Sequence, residues 1–393
     1  MKVLFLQKMA GISGSERYLL GILPVLHARG VEVAFLAVQH PANTAKNRVF
    51  IEDLTRAGVP VYVIDSRLPL SPWLVWRIAR LVRRQRFDVL HTNLIHADVW
   101  GALVKRLFIK DLRLLSVKHG YSESFQTRYG LDPGKLKWDL MALLTRWAGR
   151  YADDIVCISS ALQSFLVRGK LIDSDKATTI PYGFDFSSAP TEVGPGGLRF
   201  GDPQLIVVGR LVPVKQHALL ITILPALLQD FPKLSVVMVG AGPLREDLEI
   251  KTSALGLSAH VRWEGFRSNI HDYIRDSDIM VVPSAAEGFG LVVLEAWFHE
   301  KPVVAFAVPA INEIVEAGVD GELVEPFNQT ALLETLRLLA ADQGRQRTLG
   351  QNGKQKQKQF FGLEVMCDRT VTVLRSLAAQ RDGGLQRRPE RKN

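Results

Sequence analysis

Short runs rich in Val, Ile and Leu recur along the chain, and after most of them comes a longer stretch in which apolar residues return every three or four positions. The runs Lys2 to Gln7, Val31 to Val38, Val59 to Asp65, Asp88 to His91, Leu112 to Lys118 and Asp154 to Ile158 read as strands, and the periodic stretches between most of them as helices. A second series opens at Leu205 and continues through Leu234 to Gly240, Val261 to Gly265, Ile279 to Val282 and Pro302 to Phe306. Continuous apolar runs mean strands covered on both faces. The expected fold class is therefore α/β, with two mostly parallel, doubly wound sheets. Between the two series, Phe184 to Gly201 is rich in Ser, Pro and Gly and lacks periodicity, so it reads as a linker. The expected division is a domain over 1–185, a linker over 186–201, a second domain over 202–357, a terminal helix over 358–380 and a basic tail over 381–393.

Composition agrees with two full cores: 393 residues, 47% hydrophobic and 23% charged. Apolar runs stop at about seven or eight residues, too few to span a bilayer. The opening Met1 to Gln7 is too short for a signal-peptide core. A cytoplasmic enzyme is expected. Cys157 and Cys367 lie far apart in apolar surroundings and read as small buried hydrophobes, with no metal cluster to be drawn from them.

The most informative stretch is Val281 to Trp297, VVPSAAEGFGLVVLEAW. A buried strand runs into Pro283 and Ser284, Gly288 and Gly290 permit a tight turn around Phe289, and an apolar helix opens at Leu291. Backbone N–H groups at such a helix start attract phosphate through unsatisfied donors and the helix dipole. Glu295, inside the helix, can accept two hydrogen bonds from a vicinal diol such as ribose, and Glu287, before it, can reach a second ring. Upstream, LIVVGRLVPVKQ over Leu205 to Gln216 is another strand ending in Gly209-Arg210, with Lys215 at the start of the next helix. Open α/β sheets bind ligands at the carboxyl ends of strands, where Arg210 can fork onto a diphosphate and Lys215 act as a point charge.

These residues bring in a resemblance. The chain resembles the retaining glycosyltransferases of the GT-B fold, in the large group-4 family that uses nucleotide sugars. The motifs G-R-L-V-P-x-K, V-G-x-G-P-L, E-G-F-G-L-x-x-L-E-A and D-G-x-L-V-x-P occur in family order between Val207 and Pro326. The resemblance implies two Rossmann-like domains facing a cleft, with the acceptor on the first, the donor nucleotide on the second, and the terminal helix crossing back to the first. It also places His119 beside the transferred sugar.

In the first domain, Gly11-Ile12-Ser13-Gly14-Ser15-Glu16 joins strand one to an apolar helix, so Gly14 can let the backbone approach a phosphate or the acceptor. A dinucleotide site is disfavoured: G-x-G-x-x-G is absent there, and Gly240-Ala241-Gly242 runs into Pro243. The chain departs from the family pattern at Ser13-Gly14, where a Gly-Gly pair is usual, and at Pro309-Ala310-Ile311-Asn312-Glu313, which replaces Gly-Gly-x-Pro-Glu. Both changes fall near the expected acceptor and sugar pockets.

Charge adds a partner. The first 200 residues hold 27 Lys and Arg against 17 Asp and Glu, and the remainder 22 against 23. Trp73, Trp76, Arg77, Arg80, Arg83, Arg84 and Arg86 form one basic amphipathic helix, and Lys135, Lys137, Trp138, Arg146, Trp147 and Arg150 a second patch. Both suit anionic lipid, with ordinary solvated helix faces as the alternative. No nucleic-acid motif is present.

The expected function is transfer, with retention, of a sugar from a UDP- or GDP-sugar to a hydroxyl of a glycan or lipid-linked glycan, in polysaccharide or lipopolysaccharide assembly. Glu287, His119, Arg210 and Lys215 form the catalytic set. Gly14, Gly288, Phe289, Gly290, Leu291 and Glu295 join Arg210 and Lys215 in binding substrate. No cofactor or metal is expected: Asp173-Ser174-Asp175 and Asp276-Ser277-Asp278 read as turn and capping chemistry. Alternatives are a nucleotide-sugar epimerase or phosphorylase on the same fold, and a non-catalytic sugar-nucleotide-binding membrane scaffold.

Overall fold

A computed structural model describes residues 1–11, 14–120, 132, 134, 136, 139–187, 189 and 192–382. Ser13, Lys135, Lys137, Trp138 and the tail beyond 382 lie outside the described residues. The chain divides into two compact units. One holds Met1–Gly120, the described residues from Gly134 to Phe184, and the helix Leu363–Asp382; the other holds Asp132 and Asp185–Gly362.

In the first unit, β1 (Lys2–Met9), β2 (Glu32–Gln39), β3 (Val61–Asp65), β4 (Val89–Asn93), β5 (Arg113–Lys118), β6 (Asp154–Cys157) and β7 (Ala177–Thr179) form one parallel sheet in the order β3-β2-β1-β4-β5-β6-β7. In the second, β8 (Gln204–Val208), β9 (Ser235–Val239), β10 (Val261–Gly265), β11 (Ile279–Val282), β12 (Val303–Phe306) and β13 (Glu322–Val324) form another, in the order β10-β9-β8-β11-β12-β13. Helices return the chain between parallel strands, which is why the strands read as continuous apolar runs. Leu4, Leu6, Leu36, Leu90 and Leu114 are buried in the first core, and Leu205, Val236, Met280 and Val304 in the second. Cys157 and Cys367 are free and buried.

The two strands without a sequence signal, β7 and β13, are three-residue edge strands, too short for any periodicity to show. The stretch read as a linker is pinned at its far end. Asp272 accepts N–H bonds from Glu192 and Val193 at 2.6 and 3.1 Å, and Asp276 accepts from Gly196 and Leu198 at 2.9 and 3.0 Å. Asp278 pairs with Arg199 at 2.7 Å. The second D-x-D run thus fastens incoming chain to the unit. Asp173 precedes the 3-10 turn Ser174–Lys176 without capping it through its carboxylate. Near the C-terminus, one helix (Gln343–Phe360) ends in the second unit and the next (Leu363–Asp382) belongs to the first. There Arg29 meets Glu364 and Asp368, and Gly183 N–H donates to Met366 Sδ at 3.2 Å.

Candidate functional site

In the second unit the sheet order reverses at β8, whose neighbours are β9 and β11. The crevice beyond the carboxyl ends of β8 and β11 is the place such sheets bind ligands. Its floor is backbone laid on backbone. Gly209 N–H donates to Val239 O at 2.9 Å, Leu211 N–H to Ala241 O at 3.1 Å, and Leu244 N–H to Leu211 O at 3.1 Å. A Cβ at Gly240 would stand 1.8 Å from the Gly209 carbonyl oxygen, and one at Gly242 within 2.4 Å of Leu211 O. These glycines are therefore packing requirements of the G-R-L and V-G-x-G-P loops.

Lys215 lies in a 3-10 turn, Pro213–Lys215, and the helix begins after it at His217, with Gln216 left-handed at φ +53°. Ala285 N–H donates to Val214 O at 2.8 Å, tying this turn to the segment after β11. Val212, Val214 and Ala286 pack in the same seam. That seam sets Lys215 Nζ 2.5 Å from Glu287 Oε1, with Glu287 only 9% exposed. The sequence assigns these two groups to different parts of the donor, and the structure joins them. A diphosphate reaching Lys215 therefore competes with a carboxylate already in place. Arg210 is exposed at the same edge.

Gly290, at φ +97°, caps the helix Leu291–Phe298; its carbonyl takes the Val293 N–H at 2.9 Å, while the N–H groups of Leu291 and Val292 have no helical carbonyl a turn earlier. A Cβ at Gly290 would meet Ile311 Cδ1 at 2.6 Å, so the unusual Pro309 to Glu313 segment packs directly against this turn. Phe289 is buried and faces the Phe361 ring at 6.0 Å. Gly288 and Leu291 are half-buried. Glu295 is 1% exposed, so a diol bound there would be almost fully desolvated, where hydrogen bonds are electrostatically strongest.

The first unit brings its own residues to one sheet edge, the carboxyl ends of β1, β4 and β5. Gly14 opens the helix Gly14–Ala28, and a Cβ there would meet nothing within 4 Å among the described residues. Among those residues neither packing nor a left-handed backbone requires glycine at this position. Glu16, in the first helical turn, is buried and accepts from Gln7 Nε2, while Ser15 Oγ donates to it at 3.1 Å. The sequence reading missed this carboxylate; a Gln inside an apolar strand was the available hint.

His119 has both ring nitrogens engaged. Asn93 Oδ1 can only accept, so Nε2–H donates to it at 2.7 Å, and Nδ1 accepts from the Tyr182 hydroxyl at 2.6 Å. Asn93 Nδ2 in turn donates to His91 Nδ1 at 3.3 Å. Burial, helped by Lys118, pushes His119 down to about 3. Burial and the neighbouring His119 do the same for His91. Both imidazoles are neutral at pH 7. Below them Lys118 and Asp98 form a buried ion pair at 2.6 Å, with Thr92 and Ser116 hydroxyls also donating to Asp98.

A pH dependence of stability follows. The folded pKa of His91 lies below its ordinary 6.5, so the unfolded chain takes up the proton first. Stability should be complete above pH 6.5 and fall as the pH drops toward 3, by up to about 1.4 kcal/mol per unit for each such histidine. Melting curves from pH 7 to 5 check this: His91→Asn should flatten the slope, and an unchanged slope would contradict the assignment.

On the outer face, Pro72–Gln85 is the expected basic helix, capped by Ser71. Arg77 lies over the Trp73 ring at 4.6 Å and Arg80 over Trp76 at 5.3 Å, with both tryptophans exposed. Of the second patch, Trp147 is partly buried, packed against the cluster of Val99, Ala102 and Ala148, so less of its ring is open than in Trp73 or Trp76. Among the described residues no helix is long and apolar enough to cross a membrane.

Two family models match the chain, "Glycosyltransferase Family 4" over residues 12–188 and "Glycosyl transferases group 1" over residues 192–356. An uncharacterized glycosyltransferase of Methanocaldococcus jannaschii is 28% identical over 284 residues, 71% of this chain and 73% of that protein. The Escherichia coli UDP-Gal:alpha-D-GlcNAc-diphosphoundecaprenol alpha-1,3-galactosyltransferase is 23% identical over 338 residues, 83% of this chain and 84% of its own. The crystal structure of Anabaena HepE in complex with UDP-glucose superposes with a TM-score of 0.79 at 24% identity, covering 96% of this chain and 100% of that one; at that identity the likeness carries the fold. Two parallel-sheet Rossmann-like units of this kind define a GT-B enzyme. The chain belongs to the family-4, group-1 glycosyltransferases.

Proposed function

We propose that the enzyme transfers a hexose, with retention, from a UDP-sugar to a hydroxyl of a lipid-linked or envelope glycan. What supports this is that Arg210, the Lys215–Glu287 pair and the N-terminus of the helix Leu291–Phe298 all follow the carboxyl ends of β8 and β11, at the switch point of the second sheet. A helix start and two cations suit a diphosphate, and Glu295 suits the ribose diol. The UDP-glucose complex of the structural relative and the diphosphoundecaprenol acceptor of the E. coli relative support the donor and acceptor classes.

In the proposed reaction the bond from the anomeric carbon to the phosphate oxygen breaks, and the acceptor oxygen bonds to the same face. The hydroxyl proton passes to the departing phosphate oxygen. Arg210 and Lys215 meet the charge that develops there, in place of a divalent cation, and Glu287 positions the sugar. His119, neutral and tied to Tyr182 and Asn93, shapes the sugar pocket rather than taking a proton. The basic face of Pro72–Gln85 holds the enzyme reversibly on an anionic membrane.

Incubation of the enzyme with UDP-hexose and a lipid-diphosphate-linked acceptor in anionic vesicles tests this reading. An α-configured product by NMR, from an α-linked donor, and pelleting of the enzyme with vesicles that fades as salt rises are the expected results. A β product would overturn retention, and no pelleting at low salt would overturn the membrane contact.

A further inference from the structure

At the carboxyl ends of β1, β2 and β3 lies a cavity of about 80 Å3, walled by Lys8, Val38, His40, Ser66, Arg67 and Trp100 among others. It opens on the same sheet edge as Gly14 and His119. No acidic residue lines it among the described residues. Lys8 is half-buried, and its partner is a histidine: Nζ donates to His96 Nε2 at 3.2 Å. An ammonium can only donate, so His96 is neutral at that nitrogen, and burial followed by the Lys8 charge lowers its pKa. Asp65, at the end of β3, is engaged by Gln39 Nε2 at 3.1 Å. Arg67 is exposed and makes no ion pair among the described residues. A half-buried ammonium without a counter-ion beside a free guanidinium suits a phosphate.

What adjoins the cavity is apolar. Trp100 Nε1–H donates to Pro69 O at 2.7 Å, holding the loop after β3 over the pocket. That loop carries Leu68 and Leu70, 63% and 52% exposed, and leads without a break into exposed Trp73. A strip of hydrocarbon therefore starts where the cations end.

We infer that this cavity binds the phosphate of an amphiphilic acceptor, with Lys8 and Arg67 on the phosphate and the hydrocarbon chain lying along Leu68, Leu70 and Trp73. The inference rests on the transferase reading and names the acceptor class. β1 and β5 are two strand spacings apart, about 10 Å, which leaves room for a sugar between the phosphate at Lys8 and the pocket at His119.

Binding of farnesyl phosphate, inorganic phosphate and farnesol to the full chain, with saturating UDP to occupy the donor site, tests it. Wild type should bind farnesyl phosphate at least tenfold more tightly than either of the others. The double variant Lys8→Gln/Arg67→Gln should lose at least tenfold in that affinity, and Arg67→Gln alone, at an exposed position, should lose part of it. Leu68→Ser/Leu70→Ser should weaken farnesyl phosphate and leave inorganic phosphate unchanged. Equal affinity for farnesol and farnesyl phosphate, or no loss in the Lys8 and Arg67 variants, would overturn the phosphate site. Insensitivity of farnesyl phosphate to the leucine changes would overturn the hydrocarbon track. Absence of UDP binding would instead count against the donor assignment, since farnesyl phosphate binding is read independently.

Discussion

Replacing Arg210 with alanine is expected to lower kcat/KM by roughly 30- to 700-fold, the effect of about 2 to 4 kcal/mol of lost transition-state stabilisation. Charge develops on the leaving diphosphate as the anomeric bond breaks, and an exposed guanidinium at the end of β8 is placed to meet it by a forked contact. Lys215→Ala should show a loss of the same order with a further signature. The change also releases Glu287 from its 2.5 Å partner, so an uncompensated carboxylate is left beside the incoming phosphate. Lys215→Ala/Glu287→Gln should therefore recover part of the donor affinity lost in Lys215→Ala. Steady-state kinetics with and without chelator provide the check. If the two cations carry the charge, wild-type transfer persists in chelator; complete loss of transfer, restored by manganese, would contradict this role.

Gly240→Ala is expected to destabilise the second unit by about 4 kcal/mol or more, at the extreme of single-substitution effects. Gly240 sits at φ +148°, a conformation L side chains rarely adopt, and its Cβ would be 1.8 Å from a backbone carbonyl that has no rotamer to change. Gly14→Ala is the contrast, since its Cβ meets nothing within 4 Å among the described residues and melting should hardly move. Thermal melts of the two variants separate a glycine kept for packing from one kept for access. Equal melting temperatures for Gly240→Ala and wild type would contradict the packing argument.

Much of this was legible in the sequence because parallel strands buried on both faces leave long apolar signatures. Of the strands, β1 through β6 and β8 through β12 are found within a residue or two of where the runs lie, while β7 and β13 are too short to leave one. The Gly-Phe-Gly turn before Leu291 was readable because only glycine suits φ +97° at a helix cap. The Lys215–Glu287 pair was not readable. It depends on the Ala285 to Val214 backbone bond between segments some seventy residues apart. The engagement of His119 by Asn93 and Tyr182 was hidden for the same reason: each partner is remote in sequence, and neither belongs to a local motif. The inward turn of Glu16 was masked by its position, since an acid in a first helical turn ordinarily faces water.

The central claim, that the second unit binds the nucleoside diphosphate with Glu295 on the ribose and Glu287 on the sugar side, is tested most directly by calorimetric titration of UDP. Glu295→Ala should weaken UDP at least tenfold. Glu287→Gln should bind UDP as tightly as wild type or more tightly, because Lys215 is freed, while losing transfer. Equal weakening of UDP in both variants, or full affinity in Glu295→Ala, would contradict the assignment.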